Sequence, residues 1–106
     1  MYTPPMLEVT HADPDLKRLE VEAGFTAGLA PPIVKRFRVV MQIIRTVSKK
    51  NGLYQFGGLR LEKLGGKRQH QYSMRLNKKY RLIAEFSGEE PDEKIVIIAI
   101  ENHYED

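Results

Sequence analysis

The sequence predicts an α+β domain: two N-terminal helices packed on a small antiparallel sheet. Three observations lead there. Asp13-Pro14 and Pro31-Pro32 each open a stretch that suits a helix. Tyr72 to Phe86 alternates apolar and polar on both sides of a short polar turn. The run KIVIIAIE, Lys94 to Glu101, is almost wholly apolar and too short for a buried helix.

The elements follow in order. Leu7 to His11 alternates enough for a short strand. Asp13 is an N-cap and Pro14 a first helical residue, so a helix is expected from Pro14 to about Ala23, stopping at Gly24. Phe25 to Ala30 connects it to the longest helix. There Ile33, Val34, Phe37, Val40, Met41, Ile44 and Val47 form one apolar stripe. That helix is expected to end near Lys49-Lys50, with Asn51-Gly52 as its stop. A loop, a short strand from Arg60 to Lys63 and a Gly65-Gly66 turn lead into a hairpin. In it Tyr72, Met74, Leu76, Tyr80, Leu82, Ala84 and Phe86 share one face. An Asn77-Lys78-Lys79 loop sets Arg75 directly against Arg81 on the other. After an acidic turn, Lys94 to Glu101 reads as a central strand buried on both faces.

A chain of 106 residues is expected to form one domain. It has no cysteine, which excludes disulfides and thiol chemistry. His11, His70 and His103 are too far apart in sequence to draw a metal-ligand spacing, so neither a metal nor another cofactor is expected. No run of 18 apolar residues implies a membrane span. The opening MYTPPMLEVT lacks the basic start and apolar core of a signal peptide, and a cytoplasmic protein is expected.

The net charge of +3 hides an uneven distribution. Arg60, Lys63, Lys67, Arg68, Arg75, Lys78, Lys79 and Arg81 lie within 22 residues that hold a single carboxylate, Glu62. The acids gather toward the two ends of the chain. A cationic middle of this kind suits a polyanion, and a phosphodiester in particular. The paired arginines sharpen the point, because like charges directly opposite one another destabilise a hairpin. A solvated basic face is the plain structural alternative.

Glu62 could share a concavity with Arg75 and Arg81, and His103 and Tyr104 follow the last strand. These groups suffice for metal-free RNA cleavage. A base takes the 2′-OH proton, the oxygen attacks the neighbouring phosphate, arginines stabilise the growing charge and an acid protonates the departing 5′-oxygen. The structural alternatives are an ion pair of Glu62 with Lys63 or Arg81, a surface histidine and a packing tyrosine.

The span RLEKLGGKRQHQYSMRLNKKYRL, with ADPDLKRLE and the Pro-Pro helix more loosely, resembles the RelE superfamily of type II toxin–antitoxin toxins. It is most similar to HigB-like plasmid maintenance killer proteins. The spacing of Glu62, Tyr72-Ser73, Arg81 and His103-Tyr104 also looks like that of YoeB-type members. The resemblance implies a RelE/ParE-like fold and a ribosome-dependent mRNA interferase that cuts A-site mRNA. It implies Glu62 as base, Arg81 as phosphate ligand, and His103 and Tyr104 as candidates for the acid and for orienting the substrate. Arg60, Lys63, Lys67, Arg68, Arg75, Lys78 and Lys79 would grip RNA. The implied partners are the ribosome and a helix-turn-helix, HigA-like antitoxin. The chain departs from many HigB-like members, which end this strand in Asp-Tyr-His where it has Asn102-His103-Tyr104. Two other readings stand beside the interferase: a ParE-like, non-catalytic toxin that inhibits gyrase, and a plain RNA-binding module.

Overall fold

The computed structural model describes residues 6–89 and 91–102. Its sheet has five strands: β1 (Glu8–His11), β2 (Glu62–Lys63), β3 (Gln71–Arg75), β4 (Tyr80–Ser87) and β5 (Lys94–Asn102). They lie in the order β1-β5-β4-β3-β2. Helices α1 (Pro14–Val21) and α2 (Pro31–Thr46) and a single helical turn, α3 (Lys50–Leu53), complete the α+β architecture. Three of the four strand pairings are antiparallel; β1 departs from the expected pattern by running parallel to β5.

The local signals explain most of this. The Asp13 carboxylate accepts from the backbone N–H of Asp15 at 2.9 Å, and Pro14 takes the first helical position. Helix α1 ends at Val21, before Gly24. Its exit is held from outside: the Arg38 guanidinium, on α2, donates to the carbonyls of Leu19, Glu22, Ala23 and Phe25 at 2.9 to 3.3 Å. One arginine thus satisfies helix-end carbonyls that a glycine motif otherwise would.

All seven residues of the α2 stripe are buried, and Phe37, Val40, Met41 and Ile44 are fully so. They pack on Leu7, Met74, Leu76, Leu82, Ala84, Ile95 and Ile97 of the sheet side. The helix stops at Thr46, whose hydroxyl donates to the carbonyl of Ile43 at 2.7 Å. Asn51-Gly52 is therefore not its stop; both residues lie inside α3. Gly52 serves by smallness, since a Cβ there would sit 3.1 Å from the Cβ of Val47. Lys50 ties this turn to the sheet. Its Nζ donates to the Tyr72 hydroxyl at 3.1 Å and lies 4.8 Å from that ring's centre, and its backbone N–H donates to Glu93 at 2.7 Å. The hydrogen bond to Tyr72 is the main reason that the Lys50 pKa is raised.

The hairpin has the expected register, with Arg75 against Arg81. Asn77 closes the loop by accepting from the backbone N–H groups of Lys79 and Tyr80, both at 2.8 Å. Two further expectations are corrected. The strand expected over Arg60–Lys63 is only Glu62–Lys63, because Arg60 ends a 3-10 turn (Gly57–Leu59) in the left-handed region, with φ 47°. The β5 run is not buried on both faces: Ile95 and Ile97 are fully buried, whereas Val96, Ile98, Ala99 and Ile100 are partly exposed. A β-bulge opposite Ile83/Ala84 shifts the phase, so Ile97 and Ile100 can both serve the helix side. Strand β5 is interior, but β4 holds the middle of the sheet.

At the β1 edge, Glu20 accepts from both Arg45 nitrogens, at 3.0 Å from Nη2, and lies 2.8 Å from His11 Nε2. Burial alone would raise the Glu20 pKa; Arg45 and His11 outweigh it and hold the carboxyl below its usual range. A carboxyl with a depressed folded pKa stabilises above its unfolded value, about 4.3, and loses that contribution as pH falls through the folded value. Urea unfolding from pH 6 to pH 3 should show the wild type losing more stability than Glu20→Gln. Equal losses would mean that the pair contributes nothing.

Candidate active site

The helices cover one face of the sheet and leave the other without a layer. On the uncovered face, register brings scattered sequence positions together. Glu62 on β2 stands opposite Ser73 on β3, and Ser73 stands opposite Ile83 on β4. Two residues along β4, Arg81 lies between Arg75 on β3 and Glu101 on β5.

A cavity of about 270 Å³ opens here, lined by Glu62, Leu64, Gly65, Arg68, Ser73, Arg81, Ile83 and Glu101. Its floor is Ser73, 5% exposed, and Ile83, 2% exposed. The left-handed Gly66, φ 63°, opens a second 3-10 turn, Gly66–Arg68, that brings Arg68 over the cavity. Arg68 is pinned there: Nη1 and Nη2 donate to the two Glu101 oxygens at 3.0 and 2.7 Å, and Nε donates to Gln71 at 2.9 Å. Gln71 in turn donates to Glu85 at 3.1 Å.

Glu62 and Arg81 line this cavity without pairing to each other, and among the described residues neither has an ion-pair partner. The sheet accounts for this. Two strand spacings of ~4.8 Å and two residues of ~3.4 Å place their Cα atoms roughly 12 Å apart. Across that gap both side chains line the same cavity.

A second cavity of about 230 Å³ adjoins the first. Arg60, Arg75, Lys78 and Arg81 line it, and among the described residues no carboxylate does. Arg81 is common to both.

The candidate residues of the sequence thus divide. Glu62, Arg68 and Arg81 meet in the first cavity, and Arg60, Arg75, Lys78 and Arg81 in the second. Lys63, Lys67 and Lys79 line neither. Lys63 pairs with Tyr72 and so faces away from Glu62. His103 and Tyr104 lie outside the described residues. Two lining residues with polar side chains, Ser73 and Glu101, were not among the candidates. Both follow from strand alternation once the register is known, but the β5 bulge hides the phase of Glu101.

A two-helix layer on one side of a five-stranded sheet, with a cationic cleft on the other, places the chain among small toxins of the RelE type. Residues 10–103 match the family described as the RelE-like toxin of type II toxin-antitoxin system HigB. The chain belongs to that family, and so is a toxin of a type II toxin–antitoxin system. The YoeB/ParE toxin from Agrobacterium tumefaciens is similar in fold: TM-score 0.59, 16% identity, 92% of this chain and 100% of that one. The YoeB-YefM complex from Staphylococcus aureus gives TM-score 0.50 and 24% identity over 92% of this chain and 98% of that one. No curated protein matches the chain. Among the described residues, no helix is long and apolar enough to cross a membrane.

Proposed function

We propose that this toxin is an endoribonuclease that cuts mRNA on the ribosome by attack of the 2′-OH. The observation that carries the reading is that Glu62 and Arg81, neither in an ion pair among the described residues, line one cavity of the uncovered sheet face. Glu62 takes the 2′-OH proton. The oxygen attacks phosphorus, and the 5′-oxygen leaves, giving a 2′,3′-cyclic phosphate and a 5′-hydroxyl end. Arg81 donates to the phosphoryl oxygens as their charge grows. His103 or Tyr104, just beyond β5, supplies the proton to the leaving oxygen. DNA lacks the nucleophile, so the site selects RNA.

The exposed cations of the same face provide the long-range attraction to RNA. The complex in the S. aureus structure joins a toxin of this fold to an antitoxin. A HigA-like antitoxin is the matching partner proposed here, in the cytoplasm.

The test is to map mRNA 5′ ends after brief induction in growing cells. Cuts inside translated codons, with 5′-hydroxyl ends, are the expected result. Growth arrest with mRNA intact would overturn the reading and favour a gyrase-directed toxin.

A further inference from the structure

Edge strands are where a sheet can still add a partner, because one row of their N–H and C=O groups has no strand to bond. The two edges of this sheet differ. Strand β2 has two residues and β1 has four. Glu8 and Ala12 donate their backbone N–H groups to the carbonyls of Glu93 and Ile97, at 3.2 and 2.9 Å. The main-chain groups of residues 8, 10 and 12 are therefore directed at β5. Those of Val9 and His11 point the other way, where no strand lies among the described residues. A groove of about 490 Å³ follows this free edge. Residues 9–12 form one wall, and Pro14 and Lys17 of α1 with Arg45 of α2 form the other. The edge is held ready for use. The buried His11 side chain bonds Glu20 of α1, which in turn binds Arg45 of α2, so β1 is tied to both helices.

We propose that the β1 edge is a docking site for an extended, acidic segment of a partner protein, which joins the sheet as a further strand. The charge of the groove selects the occupant. Lys17 is exposed and has no carboxylate partner among the described residues. The Arg45 side chain is 46% exposed although it holds Glu20, and among the described residues no carboxylate lines the groove. An acidic segment meets both cations. A second copy pairing edge to edge would bring another Lys17 and Arg45 against them, and like charges repel. In strand addition the main-chain bonds supply affinity and alternate side chains supply specificity. The groove lies on the helix side of the sheet, and β5, β4 and β3 separate β1 from β2. A docked segment thus leaves the cavity of Glu62 and Arg81 open, and the inference stands whether or not that cavity cuts RNA.

The experiment titrates the isotope-labelled full chain with a short blocked peptide that alternates glutamate and threonine, read by NMR. The peptide should slow hydrogen exchange at the amides of Val9 and His11. Those of Glu8 and Ala12, already bonded to β5, should not change. Methylating alternate backbone nitrogens of the peptide should abolish binding in one phase and spare it in the other, as a strand bonded along one edge requires. Lys17→Glu should weaken binding about tenfold and Lys17→Ala about threefold, the scale of reversing or removing one exposed charge. A peptide alternating lysine and threonine should bind at least about tenfold more weakly than the acidic one.

Equal binding of the acidic and basic peptides, or equal affinity of the wild type and Lys17→Glu, would overturn the docking site. So would peptide effects confined to the residues around Arg75 and Arg81, which would reduce the interaction to charge attraction at the other face. Protection of Val9 and His11 that rises with protein concentration in the absence of peptide would assign the edge to a second copy and overturn the proposed partner. Lys17→Ala only trims an exposed side chain, and its affinity decides the matter if Lys17→Glu fails to fold.

Discussion

Arg81→Ala and Glu62→Gln should each slow mRNA cleavage by two or more orders of magnitude, measured as single-turnover rates on ribosome complexes. Removing one donor to a developing oxyanion typically costs 10²–10³ in rate, and removing a general base 10²–10⁴. Glu62→Gln keeps the size and polarity of the side chain and cannot take a proton. Glu62 is exposed and makes no ion pair among the described residues, so its replacement leaves no buried partner stranded. Arg81→Ala has a second signature. It removes both the repulsive cross-strand pair with Arg75 and the attractive one with Glu101, each a few tenths to ~1 kcal/mol and of opposite sign. The variant should therefore lose activity while its unfolding midpoint stays nearly unchanged. Full cleavage by Glu62→Gln would end its assignment as base. A fall in Arg81→Ala stability that tracks the fall in rate would recast Arg81 as structural.

Phe37→Ala should be the most damaging single truncation of the core, costing about 3–5 kcal/mol in urea unfolding. Phe37 is fully buried at the middle of the α2 stripe, with the apolar side chains of the sheet beneath it. A domain of this size has only about 5–15 kcal/mol in hand. A fifth or more of it would disappear, and a population of unfolded chain should appear at 37 °C. A loss under 1 kcal/mol would show that the helix layer does not hold the sheet.

What could be read from residues alone follows the range of the interactions involved. The α2 stripe and the Asp13-Pro14 start are set by neighbours three or four residues away, and both appear as expected. The hairpin register follows from alternation and a three-residue loop, so Arg75 and Arg81 were placed correctly. Features fixed by distant partners were not legible. The end of α1 depends on Arg38, reaching from α2. Gly52 answers to the bulk of Val47 rather than to a helix stop. Arg60 looked like a strand residue, because its side chain says nothing about a left-handed backbone. The site was half visible for the same reason. Glu62 and Arg81 stood out by charge in a cationic run. Glu101 stood among other acids, and only the β5 bulge and the Arg68 contact bring it to the cavity.

The parallel pairing of β1 with β5 has a consequence for how the toxin is born. Glu8 meets Lys94, some 86 residues later in the chain. Joining them closes a loop whose entropy cost is about 4 kcal/mol by chain-length scaling, against a three-residue turn for the β3–β4 hairpin. The hairpin can form in microseconds as soon as it is free. The first strand made must wait for the last. Strand β5 also carries Glu101, which anchors Arg68, so the cleft lacks one wall until residue 101 has emerged. In a chain still being made, the face that holds this cavity therefore stays unfinished until its last strand joins the sheet.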